Sequence, residues 1–313
     1  MAAGITSVTD CGLDKAAILL IQEMQSAGEL KIRINAMVNP DKDNIQYFVF
    51  KGPFKSEKLT INTLKIYADG ALGSRGALLF NDYADEPGNR GVQIEDQEYY
   101  DRICKIAYDN NFAVAAHAIG DKANRLMLDT FGKFLSGKND RRWRIEHAQI
   151  IDTTDFYKFS KYSVVPSIQA THATSDMYWV KDRLGSGRLK GAYACQTLLN
   201  QLGWLPNGTD FPVENIDPLF TFYATVFRTD HNGYPEGGWR KSEGLTRTQA
   251  LKSITCWPAK ASFEENDKGT LEPGKWADFV ISDTDLMTAS PGEILNAGIE
   301  STWIAGEKMN FFD

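Results

Sequence analysis

The sequence predicts an α/β chain folded as a (β/α)₈-type TIM barrel with a small β unit at its C-terminal end. Three observations carry this. Short β-rich runs alternate with helical stretches over roughly the first 262 residues, the signature of βαβ units around a mostly parallel sheet. Residues of metal-ligand type end several of those runs, where barrels build their active sites. After about Phe263 the pattern changes to turns and short β segments. A chain of 313 residues has room for one barrel of about 250 residues and an appendage.

In chain order, Ile5–Val8 (ITSV) is the first strand-like run and Lys31–Met37 (KIRINAM) the second, with a helical pattern from Asp14 to Ala27 between them. Leu64–Ala68 (LKIYA) and Phe112–Ala116 (FAVAA) are the third and fourth, separated by a helical stretch from Asp96 to Asn110. A helix over Asp121–Leu135 leads to the fifth run, Trp143–Glu146 (WRIE), and a helix over Thr153–Lys161 to the sixth, Ser163–Ile168 (SVVPSI). The helical stretch Gly191–Gln201 precedes the seventh, GWLPNGTD, which ends on Asp210. Gly269–Ser282 then reads as a turn-rich β segment, and Thr302–Met309 as a hairpin turning through Ala305-Gly306. A doubly wound sheet is the competing architecture. No G-x-G-x-x-G follows the first run and no G-x-x-x-x-G-K-[ST] occurs; the stretch Gly70–Gly76 has neither the spacing nor the following helix of a phosphate loop.

Composition narrows the function classes. Hydrophobic residues make up 42% and charged residues 24%, the values of a globular chain. A net charge of -7, from 34 Lys+Arg against 41 Asp+Glu, argues against a nucleic-acid binder, whose phosphate contacts need a basic surface. No run nears the 18 or so apolar residues of a membrane span. The opening MAAGITSVTD lacks the basic and apolar regions of a signal peptide, so the expected location is cytoplasmic. The four cysteines, Cys11, Cys104, Cys195 and Cys256, form no C-x-x-C pair and read as reduced, mostly buried thiols.

Of four histidines, two end predicted strands: His117 closes FAVAAH and His147 closes RWRIEH, about one βα repeat apart. Asp210 closes the seventh run, about two repeats further on. One such histidine alone reads as a core or loop residue. Three ligand-type residues at matching strand ends read as a site for a zinc-type divalent cation. Lys65, inside LKIYADG, either points outward between strand and helix or turns inward as a carbamate after reaction with carbon dioxide; spacing leaves both open.

The motifs resemble the amidohydrolase superfamily, in particular its amidohydrolase-3 branch that includes N-substituted formamide deformylase. They are Lys65-Ile-Tyr-Ala-Asp-Gly-Ala-Leu-Gly-Ser-Arg75, His117-Ala-Ile-Gly-Asp-Lys-Ala-Asn124, Arg144-Ile-Glu-His-Ala-Gln149, Gln169-Ala-Thr-His-Ala-Thr-Ser-Asp176, Asp182-Arg-Leu-Gly185, Gly208-Thr-Asp-Phe-Pro-Val-Glu214 and Gly269-Thr-Leu-Glu-Pro-Gly-Lys-Trp-Ala-Asp278, in family order along essentially the whole chain. The resemblance implies metal-assisted hydrolysis of amide- or formamide-type C–N bonds in a small-molecule substrate. It assigns Lys65 as a carboxylated metal-binding lysine, His117 and His147 as metal-binding histidines, and Asp210 as both metal ligand and catalytic proton shuttle. Ser74, Arg75, His172 and Trp179 fall on the expected substrate wall; for His172, a loop histidine bonded locally to Ser175 or Asp176 is the alternative. His231 matches nothing and reads as a surface residue.

One feature departs from the family. Members begin with a barrel strand carrying His-x-His, and this sequence has no H-x-H. The resemblance therefore describes a barrel missing its first strand: an incomplete metal-dependent hydrolase barrel over residues 1–262 and the C-terminal part of a small β-sandwich over 263–313. Two expectations follow. The metal site is incomplete and hydrolysis impaired, or the chain is an inactive fragment complemented by a partner. The open barrel edges also call for a homo-oligomer.

Overall fold

The structure is a computed structural model that describes residues 1–310, so the last three residues of the expected appendage lie outside it. Its main sheet contains β1 (Ser7–Leu13), β2 (Arg33–Val38), β3 (Phe54–Lys55), β4 (Leu59–Tyr67), β5 (Ala113–Ala118), β6 (Arg144–His147) and β7 (Val165–Ser167). The order is β1-β2-β4-β5-β6-β7, every neighbour parallel, with β3 as a short antiparallel strand on β4. Sequential order with helical crossovers is barrel topology. The curled sheet is a half-barrel: among the described residues it does not close. β1 is an edge, and beyond β7 only one parallel bridge, Ile168 to Asn207, continues the sheet.

The helices in chain order are α1 (Lys15–Ser26), α2 (Lys42–Tyr47), α3 (Gln97–Asp109), α4 (Asp121–Phe131), α5 (Phe156–Tyr162), α6 (Ala170–Asp176), α7 (Val180–Arg188), α8 (Cys195–Leu202), α9 (Pro218–Phe227), α10 (Arg247–Ile254), α11 (Cys256–Ala261) and α12 (Pro291–Leu295). Their starts follow local chemistry. Asp14 and Asp96 accept from Ala17 N (2.8 Å) and Tyr99 N (2.7 Å) to cap α1 and α3, and Thr246 with Gln249 forms a capping box on α10. α3 buries Tyr100, Ile103, Cys104 and Ala107, one helical stripe, against β4 and β5.

The core lies between the sheet and these outer helices. Leu64 and Ile66 of β4, Val114 and Ala116 of β5 and Ile145 of β6 face it, beside Phe131, Phe159 and Trp143. Strand alternation sends the intervening residues Lys65, Tyr67, His117, Arg144 and Glu146 to the barrel interior. Arg144 Nε and Glu146 Oε1 pair there at 2.8 Å.

Two expected strands differ. The first spans Ser7–Leu13 rather than Ile5–Val8, because parallel pairing with β2 carries it through Gly12 (φ +130°) by a register shift. The seventh run is not a strand. Pro206 has no N–H to donate, so only Pro206 O and Gly208 N bond to Ile168, each at 3.0 Å, before the chain turns at Asp210. The thiols also differ from expectation: Cys104 and Cys195 are buried, but Cys11 on β1 is exposed.

At the C-terminal end β8 (Phe279–Ser282), β9 (Ile299–Ile304) and β10 (Glu307–Lys308) form an antiparallel sheet in the order β10-β9-β8. Its hairpin turns through Ala305 and Gly306, both at positive φ, as the sequence predicts. Arg33 at the start of β2 clamps this sheet to the barrel through a bidentate bond to Asp278, at 2.6 and 3.1 Å. Among the described residues no helix is long and apolar enough to cross a membrane.

Candidate metal centre

β4 and β5 deliver the first two candidate residues by pleat alone. Lys65 lies on the inner face of β4, 3% exposed, with Nζ 5.0 Å above the Tyr67 ring. Tyr67 pairs in register with His117, and their rings are 5.7 Å apart. Burial first, and the Lys65 charge second, push the His117 imidazole down to about 3.

His147 reaches the site by a different route. Glu146 faces the interior, so a continued pleat would turn His147 outward toward the helices. Instead His147 (φ +73°) and Ala148 (φ +41°) enter the left-handed region, and the His147 ring comes to lie 4.5 Å from that of His117. Asp210 is also left-handed (φ +57°). Two non-glycine residues held in this sparsely populated region, both with side chains of ligand chemistry, mark a site where backbone strain aims side chains.

His172 is not in a loop. It lies on α6, buried, its ring nearly parallel to that of His147 at 5.8 Å. Ligand atoms of His147, His172 and Asp210 all fall within 4.8 Å of one another. His172 Nε2 is 3.8 Å from Asp210 Oδ2 and 3.9 Å from Glu214 Oε1. Burial lowers His172 to about 4 and holds His147 well below its ordinary range, where the charges of His117 and Lys65 add to the effect. All three imidazoles are therefore neutral near pH 7, with a lone pair to offer. Asp210 keeps 38% side-chain exposure; desolvation of the remainder raises its carboxyl, opposed by Lys65.

His117 stands outside the three-residue cluster, with Nε2 directed at Asp69 Oδ1 (3.5 Å). Asp69 follows β4 and was not foreseen. It accepts from Leu78 N (2.9 Å), Ile119 N (3.0 Å) and Gly120 N (2.7 Å), tying the loop after β4 to the loop after β5. Burial raises it to about 7 against those three donors. Glu214, the second unforeseen carboxylate, accepts from Ser175 Oγ at 2.7 Å.

The expected substrate wall is divided. Arg75 is engaged by Asp85 and Glu86, Ser74 Oγ donates to Ala71 O, and Trp179 packs over Gly73 with Arg183 on its ring. Among the described contacts none joins these three to the histidines. His231 is exposed and packs on Phe220, 4.4 Å between rings, and is not part of the cluster.

The residues present fit a divalent cation. His117 Nε2, His147 Nδ1 and His172 Nε2 are buried without a hydrogen-bond partner, which is costly for a polar atom unless a ligand takes it up. A neutral imidazole pair with a carboxylate is the donor set of zinc-type ions.

Known proteins point the same way. The profile of the amidohydrolase family matches residues 1–308. The protein LONG AFTER FAR-RED 3 of Arabidopsis thaliana is 36% identical over 266 residues, covering 83% of this chain and 44% of its own length. The N-substituted formamide deformylase of Arthrobacter pascens is 20% identical, covering 98% of this chain and 57% of its own length. The crystal structure of an uncharacterized metal-dependent hydrolase from Pyrococcus horikoshii OT3 superposes with a TM-score of 0.84 at 31% identity, over 93% of this chain and 58% of that one. The chain spans about half the length of the curated relatives it matches. With the site's geometry and a match along nearly its whole length, the chain belongs to the amidohydrolase family.

Proposed function

We propose that this chain carries the metal-binding part of a hydrolase for amide- or formamide-type C–N bonds. The observation that supports this most is the convergence of His147, His172 and Asp210, with the His117 ring beside that of His147, just beyond the C-terminal ends of the parallel strands. Lys65, His117, His147 and Asp210 would hold the ion, with zinc as the expected metal and Lys65 as a carbamate. A bound cation supplies Lewis acidity: it polarises a carbonyl and brings the pKa of water toward about 7.

The chain's own residues handle the proton. Asp210, its carboxyl raised by burial and partly open to solvent, accepts a proton from the attacking water at a carboxylate oxygen and returns it to the leaving nitrogen. Asp69 holds the loops around His117 by accepting from three backbone N–H groups. His172 and Glu214 line the side of the site facing Asp210. The open edge at β1 supports a second reading, in which the isolated chain is inactive and needs a partner to complete the site.

Elemental analysis after mild purification, followed by assay of N-substituted formamides and simple amides with added zinc, tests the proposal. Bound metal and turnover that His147→Ala abolishes are the expected results. Metal uptake without turnover supports the second reading, and absence of both overturns the first.

A further inference from the structure

Behind the cluster lies a closed hydrogen-bonded ring that the proposed chemistry does not use. Gln149, two residues after His147, donates from Nε2 to Tyr193 Oη at 2.8 Å and to Asp176 Oδ2 at 3.3 Å. The Tyr193 hydroxyl donates to the same Asp176 oxygen. Asp176 ends α6 and lies one helical turn after His172. Ser175 Oγ is 3.3 Å from the other Asp176 oxygen, Oδ1.

Tyr193 is itself firmly held. It is buried and left-handed (φ +49°), and its N donates to Gln149 O at 2.7 Å. Its carbonyl accepts from Arg228 Nη2 at 3.2 Å, and Arg228 is wholly buried. Just before it, Ile151 N donates to Gly191 O at 2.9 Å, an approach so close that a Cβ on Gly191 would meet Ile151 O at 1.7 Å. The ring thus joins the exit of β6, which carries His147, to α6, which carries His172. One Asp176 oxygen takes both donors, which ties the end of α6 to the exit of β6.

We infer that Gln149, Tyr193 and Asp176 are positioning residues that set His172 against His147 and Asp210. The inference rests on the proposed cation site, whose side facing Asp210 His172 lines, but His172 placement can be measured without metal. Four histidines give four imidazole Hε1–Cε1 NMR correlations, assignable by single His→Gln variants.

The test compares Tyr193→Phe, which removes only the donor oxygen, with Asp176→Asn, whose carbonyl oxygen can still accept both bonds. In Tyr193→Phe the His172 correlation shifts or broadens while that of His231 stays in place. Cobalt(II) affinity, followed by its visible absorption, falls roughly tenfold, and Asp176→Asn keeps it within about twofold. Gln149→Met gives the same readouts if Tyr193→Phe does not fold. An unchanged His172 correlation, or equal loss of all four, makes the ring merely structural and overturns the inference. If the wild-type chain takes up no cobalt but His172 alone moves, positioning stands and the cation reading falls. If it binds cobalt and Tyr193→Phe changes neither readout, positioning falls and the cation reading stands.

Discussion

His147 and Asp210 adopt backbone conformations that cost an ordinary residue about 1–3 kcal/mol each, and the surrounding structure holds them there. The energy goes into aim: without the left-handed turn at His147, the pleat would point its ring away from His117. Asp210→Asn keeps size and polarity but removes the proton acceptor. Turnover is expected to fall by about 10²–10⁴-fold even at saturating metal, read by steady-state kinetics. Asp176 makes a separate prediction. Burial raises its carboxyl to about 6, above the ordinary aspartate value of about 4. The folded state therefore holds this proton more tightly than the unfolded chain. The stabilising share of Asp176 is full below about pH 4 and is lost as pH rises through about 6. Asp176→Asn cannot ionise, so it should gain on the wild type by on the order of 2 kcal/mol between pH 4 and 7 in urea titrations. The ligand-type residues were legible because metal chemistry uses few side chains and they end strand-like runs. Asp69, Glu214 and the role of His172 were not, because each depends on a partner distant in sequence or on a helix the pattern did not show.

Among elements, the parallel strands were the most legible and the strand expected before Asp210 the least. β4 is buried along nearly its whole length and rich in β-branched residues, so it reads as a strand from composition. The GWLPNGTD run has apolar residues too, but proline and two glycines leave it one bridge. Short helices such as α6 offer too few turns for a periodic signal, and packing on α9 and the ring around Asp176 stabilise that one. The appendage is joined to β2 by the Arg33–Asp278 pair, 3% and 4% exposed, with Arg33 also stacked 4.6 Å from the Trp276 ring. Arg33→Met leaves the buried Asp278 charge without its counter-ion, held only by Ala305 N at 2.8 Å. It should lose about 3–5 kcal/mol of stability in denaturant unfolding, and the Arg33→Met/Asp278→Leu double variant should recover most of it.

At the scale of the molecule, an open sheet and a neutral imidazole cluster each make a prediction. The outer edge of β1 presents unpaired backbone groups beside the exposed Val8. Self-association that grows with concentration is expected in light scattering, and a strict monomer at high concentration counts against it. A ligand that binds only the folded state stabilises it by about 2.7 kcal/mol at a hundredfold excess over its dissociation constant. Zinc should therefore raise the melting temperature, chelation should reverse the rise, and His147→Ala should remove it.

The amino-acid sequence by itself determined the βα alternation, the small C-terminal β unit, the family and the chemical types of the site, since these depend on local patterns and short motifs. Only the tertiary structure decided that the run before Asp210 adds a single bridge to Ile168 rather than a strand, that His147 turns inward against its pleat, and that His172 joins Asp210 from a helix. The reason is that these depend on distant segments, on backbone strain held by packing, and on hydrogen bonds between residues far apart in the chain.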